Sequence, residues 1–178
     1  MDAPTLSAPP VLLDEAAVAA AIEALADRIA PLVDDETVAV ALLTGGMWFA
    51  ADLTRALSRR GKNLLFDALW LASYGDDHAS SGKVQVRAGL QRSIAGKTVL
   101  LIDDVFDSGL SLREAEAHLR EAGAAEILSA LFARKPWPEP RGVQPTFVAW
   151  EAPARYLVGY GMDDAGAWRG LPYIGVMD

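Results

Sequence analysis

The sequence has no cysteine and only two histidines among its 178 residues. The lack of cysteine excludes a disulfide scaffold, a cysteine nucleophile and a thiolate metal site. With two histidines, a metal centre built from several imidazole groups is nearly excluded as well. Long apolar runs are also missing, since none approaches the roughly 18 residues that a transmembrane helix needs. These absences argue against thiol chemistry, a multi-histidine metal centre and a membrane-spanning protein.

Basic residues are scarce as well, with 16 Lys and Arg against 24 Asp and Glu and a formal net charge of -8. Domains that bind the nucleic-acid backbone are usually basic, so this composition argues against a nucleic-acid partner. The segment Met1 to Pro10 lacks the basic and apolar regions of a signal peptide, and we expect a cytoplasmic protein with no membrane partner. The length suits one globular domain, residues 1–178.

Continuous apolar segments alternate with helical patterns along most of the chain. Strands are predicted over Thr37–Leu43, Leu64–Leu71, Thr98–Ile102 and Ile127–Phe132, with an exposed strand at Val84–Ala88. Helices are predicted after Asp14, from about Phe49 to Gly61, and from about Leu110 to Ala122. This order predicts an α/β fold with a central, mostly parallel sheet flanked by helices. Its core spans about residues 11–132, and the proline-bearing remainder, 133–178, forms a small cap.

A cluster of carboxylates and hydroxyls follows the strand at Thr98–Ile102. It consists of Asp103, Asp104, Asp107, Ser108, Gly109 and Ser111. Ligands bind at the carboxyl ends of strands in open α/β sheets, and a helix N-terminus with glycine and hydroxyls suits a phosphate. The carboxylates suit sugar hydroxyls or a divalent cation, so the cluster predicts a sugar-phosphate site. If the strand geometry continues, the side chains of Asp103 and Asp104 point to opposite sides.

Five segments together resemble a known family. Val99 to Ser111 resembles the 13-residue phosphoribosyl-pyrophosphate (PRPP) signature of type I phosphoribosyltransferases. Further segments resemble the pyrophosphate loop, the mobile catalytic loop and the base-binding hood of the hypoxanthine-guanine branch: Leu43 to Leu53, Ser73 to Gly82, Val158 to Asp163 and Arg169 to Val176. The resemblance runs from about residue 37 to residue 176, and the chain is identified as a member of this family.

The resemblance implies the type I phosphoribosyltransferase fold with a small C-terminal hood at about 133–178 that includes part of the N-terminus. It implies that a purine nitrogen attacks C1 of PRPP, which yields pyrophosphate and IMP or GMP in purine salvage. Its substrates would be PRPP and a 6-oxopurine, hypoxanthine or guanine. The implied cofactor is Mg²⁺, and the implied assembly is a homodimer or a homotetramer.

The resemblance also assigns roles to individual residues of the acidic turn. Asp107 is implied as the general base toward the proton on purine N7. Asp103 and Asp104 are implied to hold the ribose hydroxyls directly or through Mg²⁺, and Asp163 a second Mg²⁺. The 5′-phosphate would lie against the helix start, formed by Ser108, Gly109, Leu110 and Ser111.

The remaining implied roles lie outside that turn. Pyrophosphate would be held by Thr44, Gly45 and Arg169, with a cis peptide bond between Thr44 and Gly45. Lys135 would donate to the exocyclic O6, and the purine would also contact Tyr156, Leu157 and Asp163. The polar loop from Ala72 to Lys83 is a candidate lid, with Ser73 and Tyr74 covering pyrophosphate.

One alternative keeps the same fold without catalysis. A regulator could use a PRPP site to sense nucleotides and bind RNA or DNA. The acidic composition argues against a polyanionic partner, and a regulator has less need for Asp107 or for the hood.

Overall fold

A computed structural model describes residues 7–73 and 84–177. The helices are α1 (Glu15–Ile29), α2 (Gly46–Ser58) and α3 (Leu110–Glu121), and a 3₁₀ turn follows α1 at Ala30–Leu32. The strands are β1 (Val11–Leu13), β2 (Val38–Leu43), β3 (Leu65–Ser73), β4 (Val84–Ala88), β5 (Thr98–Phe106), β6 (Glu126–Arg134), β7 (Phe147–Glu151), β8 (Tyr156–Val158) and β9 (Ile174–Met177).

The main sheet has six strands in the order β4-β3-β2-β5-β6-β7. Its pairings are parallel except for β3 with β4, which confirms the predicted mostly parallel α/β sheet. Both of its faces are covered. On one face Ala39 and Ile102 pack with α1 and α2 in the same core cluster, and on the other Val40 and Leu101 pack with α3. Burial on both faces explains why the strands are continuously apolar.

Two strands run further than the apolar pattern predicts. β5 continues past Ile102 to Phe106, where it still pairs with β6 opposite Arg134. β3 likewise includes Ala72 and Ser73, which the prediction placed in a loop. The apolar pattern ends a predicted strand at the first polar residue, but the hydrogen bonds between strands join backbone groups and do not depend on side-chain polarity. The polar residues of β5 are therefore held by a rigid strand instead of a loop.

A second sheet of three antiparallel strands, in the order β1-β9-β8, forms the hood. The N-terminal strand β1 pairs with β9 near the end of the chain, at Val11 with Gly175. β7 belongs to the main sheet, although it follows residue 132, the end of the predicted core. β1 belongs to the hood, although it lies within the predicted core range of about 11–132. Within the described residues, no helix is long and apolar enough to cross a membrane.

Candidate active site

Two adjoining cavities lie where β2, β5 and β6 end. The larger, of about 300 Å³, is lined by Asp103 to Gly109, Ser111, Gly45, Asp163, Arg169 and several leucines. The smaller, of about 200 Å³, is lined by Asp104, Val105, Asp107, Lys135, Tyr156, Leu157, Met162 and Asp163. Most of the residues predicted to bind ligand therefore meet at one place. The two cavities share Asp104, Val105, Asp107 and Asp163, so a ligand that spans both crosses this acidic boundary.

Asp103 and Asp104 are both buried at the end of β5. The Asp103 carboxylate accepts the Asp104 N–H at 2.9 Å, and the Asp104 carboxylate accepts the Val105 N–H at 2.8 Å. Both residues line the larger cavity. The expectation that their side chains point to opposite sides of β5 stays a prediction. Burial, followed by the negative charge of Asp104, raises the pKa of Asp103 well above its usual range.

Asp104 is stabilised by more partners than Asp103. Burial raises its pKa too, but hydrogen bonds from Asp103 and from the Val105 N–H oppose that rise, as does the positive charge of Arg169. One proton on Asp103 therefore relieves the electrostatic repulsion between the two carboxylates. A cation or a set of hydroxyl donors in the cavity would have the same effect.

The turn before α3 brings a glycine and two serine residues to the larger cavity. Gly109 precedes α3 with φ of 83°, a left-handed conformation that glycine adopts without strain. Ser108 and Ser111 line the larger cavity, and Ser108 Oγ accepts the Leu110 N–H at 3.3 Å. Leu110 is the first residue of α3 and is not among the residues that line the cavity, so its predicted contact with the 5′-phosphate stays a prediction.

Asp107 and Lys135 lie side by side in the lining of the smaller cavity. Lys135 Nζ lies 3.5 Å from Asp107 Oδ2. Their backbones are fixed by Arg141, whose Nε donates to the Asp107 carbonyl at 2.6 Å and whose Nη2 donates to the Lys135 carbonyl. The Arg141 guanidinium stacks 4.5 Å from the centroid of the Phe106 ring. Sequence reasoning missed Arg141, because a lone arginine in a proline-rich segment carries no local signal.

The loop between β2 and α2 lies against the acidic pair. The peptide bond between Leu43 and Thr44 is cis, one bond earlier than expected. A Cβ on Gly45 would lie 1.9 Å from Asp104 Oδ2, so only glycine fits here. Gly45 lines the larger cavity, whereas Thr44 is exposed and is not among its lining residues. The predicted pyrophosphate contact at Thr44 stays a prediction.

Asp163 and Arg169 come from the hood and reach the same cavity. Arg169 Nη2 pairs with Asp163 Oδ1 at 2.6 Å, and Arg169 Nη1 donates to the Gly161 carbonyl at 2.6 Å. The other Asp163 oxygen accepts the Gly166 N–H at 2.6 Å. Both residues are thus held in the cavity wall by each other and by the hood backbone.

Tyr156 and Leu157 form the hood side of the smaller cavity. Tyr156 is half-exposed, and its hydroxyl donates to the Asp163 carbonyl at 3.2 Å. Leu157 is buried. A half-exposed ring that lines this cavity and is held at its hydroxyl end is suited to stacking against a flat heterocycle.

Comparison with known proteins agrees with this geometry. A phosphoribosyl transferase domain model matches residues 12–146. The chain is 33% identical over 168 residues to a hypoxanthine-guanine phosphoribosyltransferase of Bacillus subtilis, covering 94% of this chain and 92% of the relative. The chain belongs to the phosphoribosyltransferase family. An Aquifex aeolicus protein with the same name is 33% identical, covering 79% of this chain and 78% of the relative.

Solved structures of phosphoribosyltransferases share the whole fold. A hypoxanthine phosphoribosyltransferase of Staphylococcus aureus superposes with a TM-score of 0.87 at 26% identity, covering 100% of this chain and 98% of the other. A hypoxanthine-guanine phosphoribosyltransferase of Bacillus anthracis gives 0.84 at 28% identity, covering 94% and 98%. The predicted type I phosphoribosyltransferase fold is confirmed.

The donor set of this phosphoribosyltransferase site fits the expected Mg²⁺. Within 7–73 and 84–177, no group of three or more histidine, aspartate or glutamate side chains is placed to enclose a metal ion. Mg²⁺ is usually held by one or two carboxylates together with water and substrate phosphates. Asp103 and Asp104 supply two carboxylates at the cavity wall, where burial penalises their unneutralised charge.

The predicted lid lies at the limit of what is described. Ser73 is the last residue of β3, where its backbone pairs with Val84 of β4. Tyr74 and the remainder of that segment, to residue 83, lie outside the described residues. The roles predicted for Ser73 and Tyr74 stay predictions.

Proposed function

We propose that this phosphoribosyltransferase transfers the 5-phosphoribosyl group of PRPP to a 6-oxopurine, hypoxanthine or guanine, and releases pyrophosphate. The observation that carries the proposal is the pair of adjoining cavities, one lined by the acidic pair and the phosphate turn, the other by Lys135 and Tyr156, with Asp107 between them. Relatives named hypoxanthine-guanine phosphoribosyltransferase support the same assignment.

The smaller cavity suits a purine with an oxygen at position 6. In such a base N7 and O6 lie on one edge, and Asp107 and Lys135 lie 3.5 Å apart on one wall. Asp107 would accept the proton from N7 while the Lys135 ammonium donates to O6. Adenine has an amino group at that position, which cannot accept from an ammonium group.

The larger cavity suits the ribose phosphate and pyrophosphate. The 5′-phosphate would lie on the turn from Ser108 to Ser111, where free backbone N–H groups and hydroxyls at the start of α3 favour an anion. Asp103 and Asp104 would hold the ribose hydroxyls, and Gly45 and Arg169 would line the pyrophosphate side.

Asp103 and Asp104 are the residues that would hold Mg²⁺ beside the ribose, and Asp163, which lines the same cavity, would hold a second Mg²⁺. The ion would supply positive charge to the departing pyrophosphate oxygens. The protein's own part is electrostatic and positional, because bond cleavage at C1 makes the ribose ring positive between fixed carboxylates.

The test is product formation from PRPP and Mg²⁺ with hypoxanthine, guanine, xanthine and adenine in parallel, for the wild type and for Asp107→Asn. We expect turnover with 6-oxopurines, none with adenine, and a fall in kcat of about 10²- to 10⁴-fold in the variant, the range for losing a general base.

Asp35→Asn is the matched control. Asp35 lies before β2, at the amino ends of the parallel strands and therefore opposite the site. It accepts the Asn63 N–H at 2.8 Å, and an asparagine oxygen can accept the same N–H. Its activity should equal that of the wild type. PRPP binding without turnover of any base would contradict the proposal and favour the regulator. The same preparations give the oligomeric state by light scattering, with a homodimer or homotetramer expected.

A further inference from the structure

The hood loop contains three successive residues in the left-handed conformation. Gly159, Tyr160 and Gly161 have φ of 89°, 48° and 99°. A Cβ on Gly159 would lie 2.2 Å from the Tyr173 carbonyl oxygen, and one on Gly161 would lie 2.1 Å from the Gly45 carbonyl oxygen. The two glycines therefore allow backbone to approach backbone on both sides of Tyr160. The chain here is folded tightly around one aromatic side chain.

The Tyr160 side chain is buried and leads to α2. Its ring packs on Phe132 of β6 with centroids 5.0 Å apart, and Phe132 packs in turn on Phe49 of α2 at 5.4 Å. Its hydroxyl donates to Asp52 Oδ2 of α2 at 3.0 Å. Burial, followed by the negative charge of Asp52, raises the pKa of Tyr160, so the hydroxyl stays a donor at physiological pH. The other oxygen of Asp52 pairs with Arg55.

Tyr160 joins α2 to the hood loop, and the segments next to these two elements line the larger cavity at Gly45 and at Arg169. Asp52 lies on α2, which begins at Gly46 directly after the loop that carries Gly45. On the hood side, the Gly161 N–H donates to the Arg169 carbonyl, and Arg169 Nη1 donates back to the Gly161 carbonyl. Among the contacts described, the Tyr160–Asp52 hydrogen bond is a side-chain link between the hood loop and α2.

We propose that Tyr160 is a positioning residue for pyrophosphate: its bond to Asp52 fixes the loop at Gly45 against the hood that carries Arg169. The inference deepens the proposed function and rests on it, because it needs the pyrophosphate group of PRPP to lie between Gly45 and Arg169. Tyr160 itself is not among the residues lining the two cavities, so it acts through its neighbours.

The experiment compares Tyr160→Phe with the wild type by calorimetric binding of PRPP and of magnesium pyrophosphate, together with steady-state kinetics. The substitution removes one hydroxyl and keeps the ring on Phe132. We expect the Kd of magnesium pyrophosphate and the KM of PRPP to rise about 3- to 10-fold, a fraction of what a hydrogen bond to a charged group can be worth. The KM of the purine should change less than twofold, because Asp107 and Lys135 are held by Arg141 instead.

Two controls separate positioning from general loss of stability. Tyr173→Phe removes another hydroxyl from the hood, one that donates to the Pro9 carbonyl at 3.3 Å and does not reach α2. It should leave pyrophosphate binding unchanged. Asp52→Asn keeps an acceptor for Tyr160 and should retain most of the affinity, whereas Asp52→Ala should match Tyr160→Phe. The double variant Tyr160→Phe with Asp52→Ala should be no weaker than either single variant.

The outcomes separate this inference from the proposed function. Pyrophosphate binding unchanged in Tyr160→Phe, with turnover intact, would overturn the positioning role alone. An equal rise in the purine and PRPP KM values would also overturn it, because that result indicates a general disturbance. If the wild type binds neither PRPP nor magnesium pyrophosphate, the proposed function fails and the inference fails with it.

Discussion

Two acidic side chains buried next to each other oppose folding, and Asp103 and Asp104 form such a pair at the end of β5. The backbone N–H groups of Asp104 and Val105 compensate only part of the cost, because each carboxylate accepts one of them. Active sites commonly retain an arrangement of this kind, since the same burial that destabilises the empty protein strengthens its attraction for a cation or for hydroxyl donors.

Asp103→Asn should therefore stabilise the protein while abolishing its activity. The asparagine oxygen can accept the Asp104 N–H, and its amide can donate to the Asp104 carboxylate. We expect the free energy of unfolding at pH 7.5 to rise by about 1–3 kcal/mol, the range for relieving a poorly compensated buried polar group. Urea unfolding measures it.

The pH dependence of the free energy of unfolding tests the same explanation independently. The pKa of Asp103 is higher in the folded protein than in the unfolded chain, so the folded state binds more protons and stability falls as pH rises from about 4 through the folded pKa. The advantage of Asp103→Asn should then shrink as the pH is lowered toward 4. A variant equally or less stable than the wild type at pH 7.5 would contradict this account.

Arg141 connects two residues that are 28 positions apart, since it donates to the carbonyls of both Asp107 and Lys135. Arg141→Met should raise the purine KM about tenfold and leave the PRPP KM within about twofold, because each lost hydrogen bond is worth on the order of 1 kcal/mol. Steady-state kinetics with hypoxanthine measures both constants.

Arg28→Met is the matched control for Arg141→Met. Arg28 also donates to a backbone carbonyl, that of Val148, and also stacks on an aromatic ring, that of Phe147, but on α1. It should alter neither KM. Equal effects of the two substitutions would show that Arg141 acts through stability alone.

At the scale of elements, β3 is held to the segment that follows β4 by one buried carboxylate. Asp67 accepts the N–H groups of Ala68, Gln91 and Arg92 at 2.8, 2.9 and 3.0 Å. An isolated aspartate in an apolar strand is commonly assigned to a strand end from sequence. Here its burial is explained by three backbone donors and by Arg92, whose Nε lies 3.8 Å from Asp67 Oδ2.

Asp67→Ala should lower the free energy of unfolding by about 2–4 kcal/mol, because several backbone N–H groups would be left without an acceptor. Urea unfolding with an unchanged m-value checks it. Asp35→Ala removes an exposed acceptor of one backbone N–H and should cost less than about 1 kcal/mol. A loss for Asp67→Ala no larger than for Asp35→Ala would contradict the assignment.

At the scale of the whole molecule, the site lies between two sheets and carries negative charge in a protein of net charge -8. A substrate with several phosphates approaches such a surface unfavourably unless its charge is offset by a cation. Ligand binding should therefore depend on Mg²⁺, and it should stabilise the fold by joining main sheet and hood.

PRPP with Mg²⁺, at about 100 times its Kd, should stabilise the protein by about 2.7 kcal/mol. For a chain of this size that corresponds to a rise in Tm of roughly 5–10 °C. Scanning calorimetry measures the rise, and with EDTA in place of Mg²⁺ it should be largely lost. An equal rise in EDTA would show that PRPP binds without the ion.

The sequence by itself determined the order of the elements and the chemistry of the acidic turn. Both depend on short stretches of chain. Continuously apolar segments indicate strands that are buried on two faces, and Gly109 and Gly123, both at positive φ, mark the two ends of α3. The polar ends of β3 and β5 were missed, because hydrophobic pattern marks the buried part of a strand and not the end of its hydrogen-bond ladder.

Only the tertiary structure decided how the site is held. Arg141 reaches Asp107 across 34 positions, Tyr160 reaches Asp52 across 108, and Gly161 lies against Gly45. The fold also brings Asp103 and Asp104 together with hood residues Asp163 and Arg169 in one cavity. Local propensity cannot specify contacts between distant segments, because these contacts form only when the hood packs on the main sheet. Burial of apolar surface then offsets the loss of conformational entropy on ordering both parts.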